Sequence, residues 1–194
     1  MAATLDLFGS RGPAWPEGLV YVPDFLDAAR EADLIARIAA LPLAPFQFHG
    51  FEGKRRTISF GWHYRFDGSG LAQAEPLPDW LATVRDQAEA ATGLTGLRHA
   101  LLIEYAEGAG IGWHRDRPDF GDVVAVSLGS AAPLRFRRKQ GDKWQRHTLT
   151  AEPRSLYHLA GEARYQWEHS ILAVPALRYS ITLRTLRAEG ETQR

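Results

Sequence analysis

The sequence contains no cysteine. Disulfide cross-links and thiolate metal sites are therefore excluded, which leaves imidazole and carboxylate groups as the available metal ligands. Long apolar runs are also missing, because no window approaches the ~18 consecutive apolar residues of a membrane-spanning helix. Residues 1–17 lack the basic segment and apolar core of a secretory signal, so we expect a cytoplasmic protein with no membrane partner.

The chain also has no excess charge of either sign, with 23 basic and 23 acidic side chains. Global electrostatics would therefore not draw it strongly onto nucleic acid. Two local basic clusters stand out, and the first covers 54–56. The second has Asp142 as its only acid and comprises Arg135, Arg137, Arg138, Lys139, Lys143 and Arg146. These charges lie on a predicted hairpin that turns near 140–142, and they either solvate a surface or contact phosphate.

The length of 194 residues is enough for one domain with a substantial core. Residues 1–17 are expected to form a flexible leader, and 18–194 a single domain. A first strand is predicted at Leu19–Val22, followed by a helix from Asp24 or Asp27 to Leu41 and a second helix from about 78 to 92. The stretch 45–75 alternates aromatic, basic and glycine residues, which predicts a mobile hairpin or lid that covers a substrate.

Short strands separated by turns are predicted throughout 98–187. They cover 98–106, 111–115, 122–128, 133–138, 144–149, 154–159, 167–173 and 178–186. This pattern predicts a mainly β fold with flanking helices (α+β), whose core is a double-stranded β-helix, or jelly roll.

Three residues in the last third carry a chemical signal. His114 and Asp116 are two positions apart, so in a strand their side chains would leave the same face, and His169 follows later in the chain. Two imidazoles and one carboxylate form the ligand set of a non-heme Fe(II) site that keeps coordination positions open. An isolated H-x-D pattern arises often by chance, and a lone histidine is more often a hydrogen-bonded core or surface residue. The prediction of a metal site therefore depends on the combination of these residues and not on any one of them.

A basic strand follows these candidate ligands. The residues on one of its faces are Arg178, Ser180, Thr182 and Arg184. Two arginines on an inward face would be very costly unless an anion met them, and an arginine suits a dicarboxylate co-substrate. A half-buried strand with a solvated polar face would give the same pattern, so this segment alone leaves the simpler alternative open.

Four distinctive segments lie in the last half of the chain: YAEGAGIGWHRD at 105–116, VAVSLG at 124–129, GEARYQWEH at 161–169 and RYSITLR at 178–184. Together they resemble the AlkB family of Fe(II)/2-oxoglutarate dioxygenases. The resemblance implies an oxidoreductase with a jelly-roll core that uses Fe(II), 2-oxoglutarate and O2. A looser match at 55–66 is similar to the substrate-covering segment of the family.

The resemblance also implies a role for individual residues. His114, Asp116 and His169 would bind the iron. Tyr105 would hydrogen-bond 2-oxoglutarate, Arg178 would pair with its distal carboxylate, and Arg184 would stabilise the end near the metal. The co-substrate site would be completed by Ser180 and Thr182. Ile103 and Ser180 stand where many members carry asparagine.

The implied substrate is an N-alkylated base in DNA or RNA, which has to be extruded and held between aromatic or polar surfaces. The candidate substrate-binding residues are Arg56, Trp62, Tyr64, Trp113, Arg164 and Trp167. The aromatic members of this set could instead be core residues, and Arg164 could form a surface salt bridge. Two other functions remain open, an oxygenase that acts on a tRNA nucleoside or a protein side chain, and a non-catalytic metal- or nucleic-acid-binding module. A monomer is the default expectation.

Overall fold

The computed structural model describes residues 15–48, 51–65 and 70–187. Its three helices are α1 (Ala28–Ala39), α2 (Asp79–Thr92) and α3 (Gly161–Tyr165). Its strands are β1 (Leu19–Val22), β2 (Ala44–Phe48), β3 (Phe51–Phe60), β4 (Trp62–Arg65), β5 (Gly70–Gln73), β6 (Leu97–Tyr105), β7 (Ile111–His114), β8 (Phe120–Gly129), β9 (Ala132–Gln140), β10 (Lys143–Ala151), β11 (Leu156–Leu159), β12 (Glu168–Ile171) and β13 (Arg178–Leu186).

Both long helices begin and end where local chemistry favours it. The Asp27 side chain accepts a hydrogen bond from the Arg30 amide at 2.7 Å and so caps the start of α1. Helix α2 ends at Gly93, whose left-handed backbone (φ 71°) suits glycine. The two predicted long helices are thus confirmed.

The strands form three antiparallel sheets. The major sheet has the order β1-β11-β8-β13-β6-β3-β2, the minor sheet has the order β10-β9-β12-β7, and β4 pairs with β5. One apolar cluster joins the facing sides of the major and minor sheets, and a second joins the other side of the major sheet to α1 and α2. This arrangement confirms the predicted jelly-roll core with flanking helices.

Strand β13 shows how the major sheet separates its two sides. Tyr179, Ile181 and Leu183 pack beneath the helices. The opposite set faces the minor sheet and is buried, with exposed fractions of 0% for Arg178, 1% for Ser180, 7% for Thr182 and 8% for Arg184. The alternative of a solvated polar face is therefore wrong, and these polar groups line the interior between the sheets.

Two predicted segments take a more definite form in the structure. Within 45–75, β2 and β3 extend the major sheet beyond β6, whereas β4 and β5 form their own sheet. Of the predicted leader, 1–14 lies outside the described residues, while the Glu17 carbonyl accepts a hydrogen bond from the Ala163 amide at 2.8 Å. Helix α3 was not predicted, because five residues give too little periodicity to detect. Within the described ranges, no helix combines the length and the apolar character needed to cross a membrane.

Candidate metal centre and anion pocket

The two candidate histidine ligands lie side by side on neighbouring strands of the minor sheet. His114 is the last residue of β7 and is the direct antiparallel partner of His169 in β12. Their ring centroids are 4.3 Å apart. Because directly paired residues share a face, the strand register itself brings the two imidazoles together from distant parts of the sequence.

Asp116 completes the group from the loop that follows β7. Its Oδ2 lies 3.6 Å from Nε2 of His169. Two ligands that are each about 2.1 Å from one ion lie roughly 3–3.6 Å apart, depending on the angle at the metal. The Asp116–His169 spacing is therefore compatible with a shared ion.

The hydrogen bonding of His114 favours a metal ligand as well. Its Nδ1 lies 2.9 Å from the carbonyl oxygen of Gly112. A ring nitrogen that donates to a backbone carbonyl fixes the tautomer and leaves Nε2 as the lone-pair donor, which is the usual outer contact of a ligating histidine.

The donor atoms of the candidate metal ligands do not form a complete coordination set. Among the residues that the structure describes, no three His, Cys, Asp or Glu side chains meet as a complete ligand cluster. Residue type and backbone register nevertheless fit Fe(II), for which two imidazoles and one carboxylate are the expected ligands.

Electrostatics keep these groups in the protonation states that metal ligands need. Burial alone would raise the pKa of Asp116, but the Arg184 guanidinium and the neighbouring imidazoles hold it well below its usual range. Burial, followed by the charge of His114, lowers the pKa of His169 to about 3. The carboxylate is therefore ionised and the His169 imidazole neutral near pH 7.

Arg184 contacts the candidate metal ligand directly. Its Nη2 donates to Oδ1 of Asp116 at 2.7 Å, and its Nη1 lies 3.3 Å from Nδ1 of His99. Burial, followed by the charge of Arg184, lowers the pKa of His99 to about 2, so His99 stays neutral. The resemblance placed Arg184 at the near end of the co-substrate, whereas the structure places it against the aspartate.

Arg164 supports the same loop from beneath. Its guanidinium is 3% exposed. It donates to four backbone carbonyls, those of Gly121 (2.7 Å), Arg117 (2.7 Å), Phe120 (2.7 Å) and Asp116 (3.3 Å). The structure thus places Arg164 inside the fold, where it binds backbone carbonyls and does not form the surface salt bridge of the alternative. The reason is that the loop after β7 and the start of β8 turn these carbonyls inward and need a donor there.

A buried guanidinium without enough acceptors lies further along β13. Arg178 is fully buried, and its Nη2 donates to Oγ of Ser127 at 3.2 Å. Its Nε and Nη1 have no hydrogen-bond partner among the described residues. A buried cation with two unmet donors is strongly unfavourable, and a carboxylate would satisfy both donors at once.

The surroundings of Arg178 are suited to a small dicarboxylate. Tyr105 is its direct partner on β6, and Arg55 on β3 is paired with Tyr105 and hydrogen-bonds its side chain. Between the two arginines of β13, the hydroxyls of Ser180 and Thr182 lie 3.3 Å apart. These hydroxyls connect the Arg178 end of the pocket to the Arg184 end.

Sequence reasoning missed two residues of this pocket. Ser127 on β8 is the partner of Ser180, and Tyr157 on β11 is the partner of Ala125. Burial raises the pKa of Tyr157 to about 12, so its hydroxyl remains a neutral donor. Alternation along VAVSLG could have indicated Ser127, but the pairing of β11 with β8 has no sequence signal.

The remaining candidate substrate residues are scattered. The Arg117 guanidinium carbon lies 3.6 Å from the ring centroid of Tyr64, so these two side chains stack beside the Asp116 loop. Arg56 instead pairs with Glu104 at 3.1 Å, and Trp62 on β4 is the strand partner of Gln73.

The two candidate tryptophans near the ligands do not face the metal centre. Trp113 precedes His114 in β7 and stacks with Arg135 and Arg137 on the outer side of the minor sheet. The reason is that consecutive strand residues point to opposite faces. Trp167 is 5% exposed and belongs to the core between the sheets, as the packing alternative proposed.

Comparison with known proteins identifies the family. The profile of the 2OG-Fe(II) oxygenase superfamily matches residues 18–184, a span that includes every candidate metal and anion ligand. The chain belongs to the 2OG-Fe(II) oxygenase superfamily. Enzymes of this superfamily use Fe(II), 2-oxoglutarate and O2, which confirms the predicted cofactors and the oxidoreductase class.

Individual relatives support the AlkB-like resemblance of this oxygenase. It is 26% identical over 183 residues to "Alkylated DNA repair protein ALKBH8 homolog" from Arabidopsis thaliana, covering 79% of the chain and 50% of that protein. It is 30% identical over 126 residues to "Probable RNA/DNA demethylase ALKBH6" from Danio rerio, covering 63% of the chain and 51% of that protein. The chain thus spans about half the length of these two relatives.

A solved structure shows the same fold. The oxygenase superposes on the structure of OsALKBH1 with a TM-score of 0.68 and 18% identity, covering 89% of this chain and 98% of that one. At this identity the match supports the jelly-roll architecture alone.

Proposed function

We propose that this oxygenase oxidatively removes alkyl groups from nitrogen atoms of nucleic-acid bases. The observation that carries the oxygenase chemistry is the buried Arg178, which has two unmet donors among the described residues and shares a face of β13 with Arg184, the donor to Asp116. The nucleic-acid substrate is supported by relatives named for alkylated DNA repair and RNA/DNA demethylation.

In this proposal His114, Asp116 and His169 hold Fe(II). With 2-oxoglutarate and O2 bound, the iron centre supplies oxidation of a substrate C–H bond, coupled to conversion of 2-oxoglutarate to succinate and carbon dioxide. Arg178 binds the distal carboxylate of 2-oxoglutarate through its free Nε and Nη1, and Tyr105 forms the adjacent wall. Arg184 keeps Asp116 ionised and correctly oriented.

In this proposal, the loop that follows the candidate ligands positions the substrate. Arg117 stacks on Tyr64 beside Asp116, so a cationic and aromatic surface borders the metal centre. Such a surface suits a base and its flanking phosphate. A methyl group on a base nitrogen would be hydroxylated, and the resulting hydroxymethyl group would leave as formaldehyde.

The test is a substrate panel with two product assays. Purified protein is incubated with Fe(II), 2-oxoglutarate and ascorbate, together with methylated single-stranded DNA, double-stranded DNA, RNA, tRNA or a methylated peptide. We expect equal amounts of succinate and formaldehyde with at least one oligonucleotide, and loss of both in His114→Ala. The matched control is His147→Ala, since the His147 ring contacts Trp15 and Phe136 separates it from His169 in the strand register.

Other outcomes would redirect the proposal. Formaldehyde from the peptide alone would assign a protein substrate, and release from tRNA alone would assign a tRNA nucleoside. A wild-type protein that makes no succinate under any of these conditions would contradict the proposed function and favour a non-catalytic binding module.

A further inference from the structure

The outer face of the minor sheet carries a group of basic and aromatic side chains that the metal centre does not use. Consecutive strand residues point to opposite faces, so Trp113 faces outward beside His114, and Arg135 and Arg137 face outward on either side of buried Phe136. Cross-strand pairing adds residues of the β9–β10 hairpin to the same face. We call this group the arginine–tryptophan surface: Trp113, Arg135, Arg137, Lys139, Trp144 and Arg146.

The side chains of this surface are stacked in alternation. The guanidinium carbon of Arg135 lies 4.8 Å from the Trp113 ring centroid. That of Arg137 lies 4.4 Å from Trp113 and 4.5 Å from Trp144. Cation–π contacts on both sides of a guanidinium restrict its rotamers, so the surface is ordered before any ligand binds. Trp144, at the end of the stack, remains 39% exposed.

The charge of this surface is incompletely neutralised. Nε of Arg137 donates to Glu168 at 2.6 Å, and Nε of Arg135 donates to the Ser170 hydroxyl at 3.1 Å. Lys139 and Arg146 have no ion-pair partner within the described part of the chain. Because the whole chain has no net charge, this face is a local excess of positive charge.

A shallow groove runs from this surface to Arg115, the residue that follows His114. The groove has a volume of about 370 Å³ and is lined by residues that include Arg115, Lys139, Trp144 and Tyr165. Arg115 lies between the two candidate ligands of the H-x-D pair. The groove therefore leads from the hairpin toward the loop that places Asp116.

We propose that the arginine–tryptophan surface binds single-stranded nucleic acid, with phosphates along Arg137, Lys139 and Arg146 and an unpaired base on the exposed ring of Trp144. A basic groove combined with aromatic rings is the arrangement that binds single strands without reading their sequence. A duplex keeps its bases stacked on one another and gains nothing from Trp144. The inference rests on the proposed function, because it names the strand that delivers the substrate base.

The test measures binding without chemistry. Fluorescence anisotropy follows an unmethylated labelled oligonucleotide of about 12 nucleotides, as RNA, single-stranded DNA or duplex, between roughly 50 and 200 mM salt. We expect both single strands to bind more tightly than the duplex, with affinity that falls as salt rises.

Two variants then examine the charges and the ring separately. Lys139→Gln combined with Arg146→Gln should weaken single-strand binding about tenfold at low salt, and should reduce the slope of log affinity against log salt by about 1.4, or ~0.7 per lost phosphate contact. Trp144→Ala should weaken binding about tenfold, while Trp144→Phe should retain most of the affinity. Thermal melting verifies that each variant is folded.

The matched control removes two arginines from the opposite side of the major sheet. Arg37 on α1 and Arg85 on α2 are paired only with acids on their own helices. Arg37→Gln combined with Arg85→Gln should leave binding unchanged. Equal weakening by both double variants would overturn the proposal, as would a wild-type protein that binds no single strand, or Trp144→Ala binding as tightly as wild type.

Failure of this proposal and failure of the proposed function have different signatures. In one outcome, the surface variants lose single-strand binding while the wild-type protein makes no succinate. That result would support the role of the arginine–tryptophan surface and contradict the oxygenase activity. Conversely, wild type and the Lys139/Arg146 variant could release formaldehyde from a methylated oligonucleotide with the same KM. That result would support the oxygenase activity and contradict the binding role of the arginine–tryptophan surface.

Discussion

The guanidinium of Arg178 lies directly across from the phenol ring of Tyr105, with 4.8 Å between Cζ and the ring centroid. The two residues are partners in the antiparallel pairing of β13 and β6. Tyr105 covers the face of the cation but supplies no acceptor to its Nε and Nη1, which remain without a partner in the described structure. A bound anion would therefore satisfy the two unpaired donors of this buried charge.

Arg178→Ala should raise the concentration of 2-oxoglutarate needed for half-maximal succinate formation by about 10- to 100-fold, because one charge-assisted contact is lost. Arg178→Lys should restore part of the affinity, since a point charge replaces a planar fork. Mn(II) affinity, measured by titration in place of iron, should stay unchanged. An unaltered requirement for 2-oxoglutarate in Arg178→Ala would contradict the assignment.

Arg184→Ala should show the converse pattern. Its Nη2 holds Oδ1 of Asp116 at 2.7 Å, so the variant frees the carboxylate and removes the charge that lowers its pKa. Loss of such an outer contact typically weakens metal binding about 10- to 100-fold. Titration with Mn(II) measures this, and an affinity equal to that of wild type would show that the carboxylate is held by other groups.

Arg164→Met should destabilise the fold even without ligands. The arginine donates to four carbonyls of the Asp116 loop and the start of β8, and methionine would fill similar space without replacing any donor. We expect the free energy of unfolding in urea to fall by about 3–5 kcal/mol. The matched control, Arg37→Met on the exposed side of α1, should stay within about 0.5 kcal/mol of wild type. Similar stabilities for the two variants would refute the role of Arg164.

His99 should make stability depend on pH. Burial, reinforced by Arg184, lowers its pKa from 6.5 to about 2 in the folded state. A depressed folded-state pKa means that the unfolded chain takes up the proton first, so stability is complete above pH 6.5 and is lost as the pH falls toward 2. Between about pH 7.5 and 5, this group should account for a loss of roughly 2 kcal/mol. Urea unfolding at both pH values measures this. The free energy of unfolding should fall by roughly 2 kcal/mol less in His99→Gln than in wild type. An identical fall in the two proteins would contradict the assignment.

The sequence predicted those features that follow from the two-residue period of a strand. Alternation alone separated Arg178 and Arg184 from Ile181 and Leu183. The spacing of His114 and Asp116 predicted a shared strand face, whereas Asp116 lies in the loop after β7. The same rule, applied to Trp113, would have placed it on the outer side of the sheet. Closeness to His114 in sequence therefore does not place Trp113 close to the metal.

Other site features depend on long-range pairing that no local pattern encodes. Ser127 reaches Arg178 because β8 and β13 are neighbours in the major sheet, and Tyr157 reaches the pocket through β11. The carbonyls that Arg164 meets belong to the loop after β7 and to the first residues of β8, whose direction depends on tertiary packing. These contacts could be found only from coordinates.

We expect His114, Asp116 and His169 to bind one metal ion. Crystals grown without oxygen in the presence of Mn(II) and 2-oxoglutarate test it most directly through anomalous scattering. We predict one peak for each chain, about 2.0–2.3 Å from Nε2 of both histidines and from a carboxylate oxygen of Asp116. A protein that binds Mn(II) with no peak between these three side chains, or with the ion at another site, would contradict the account.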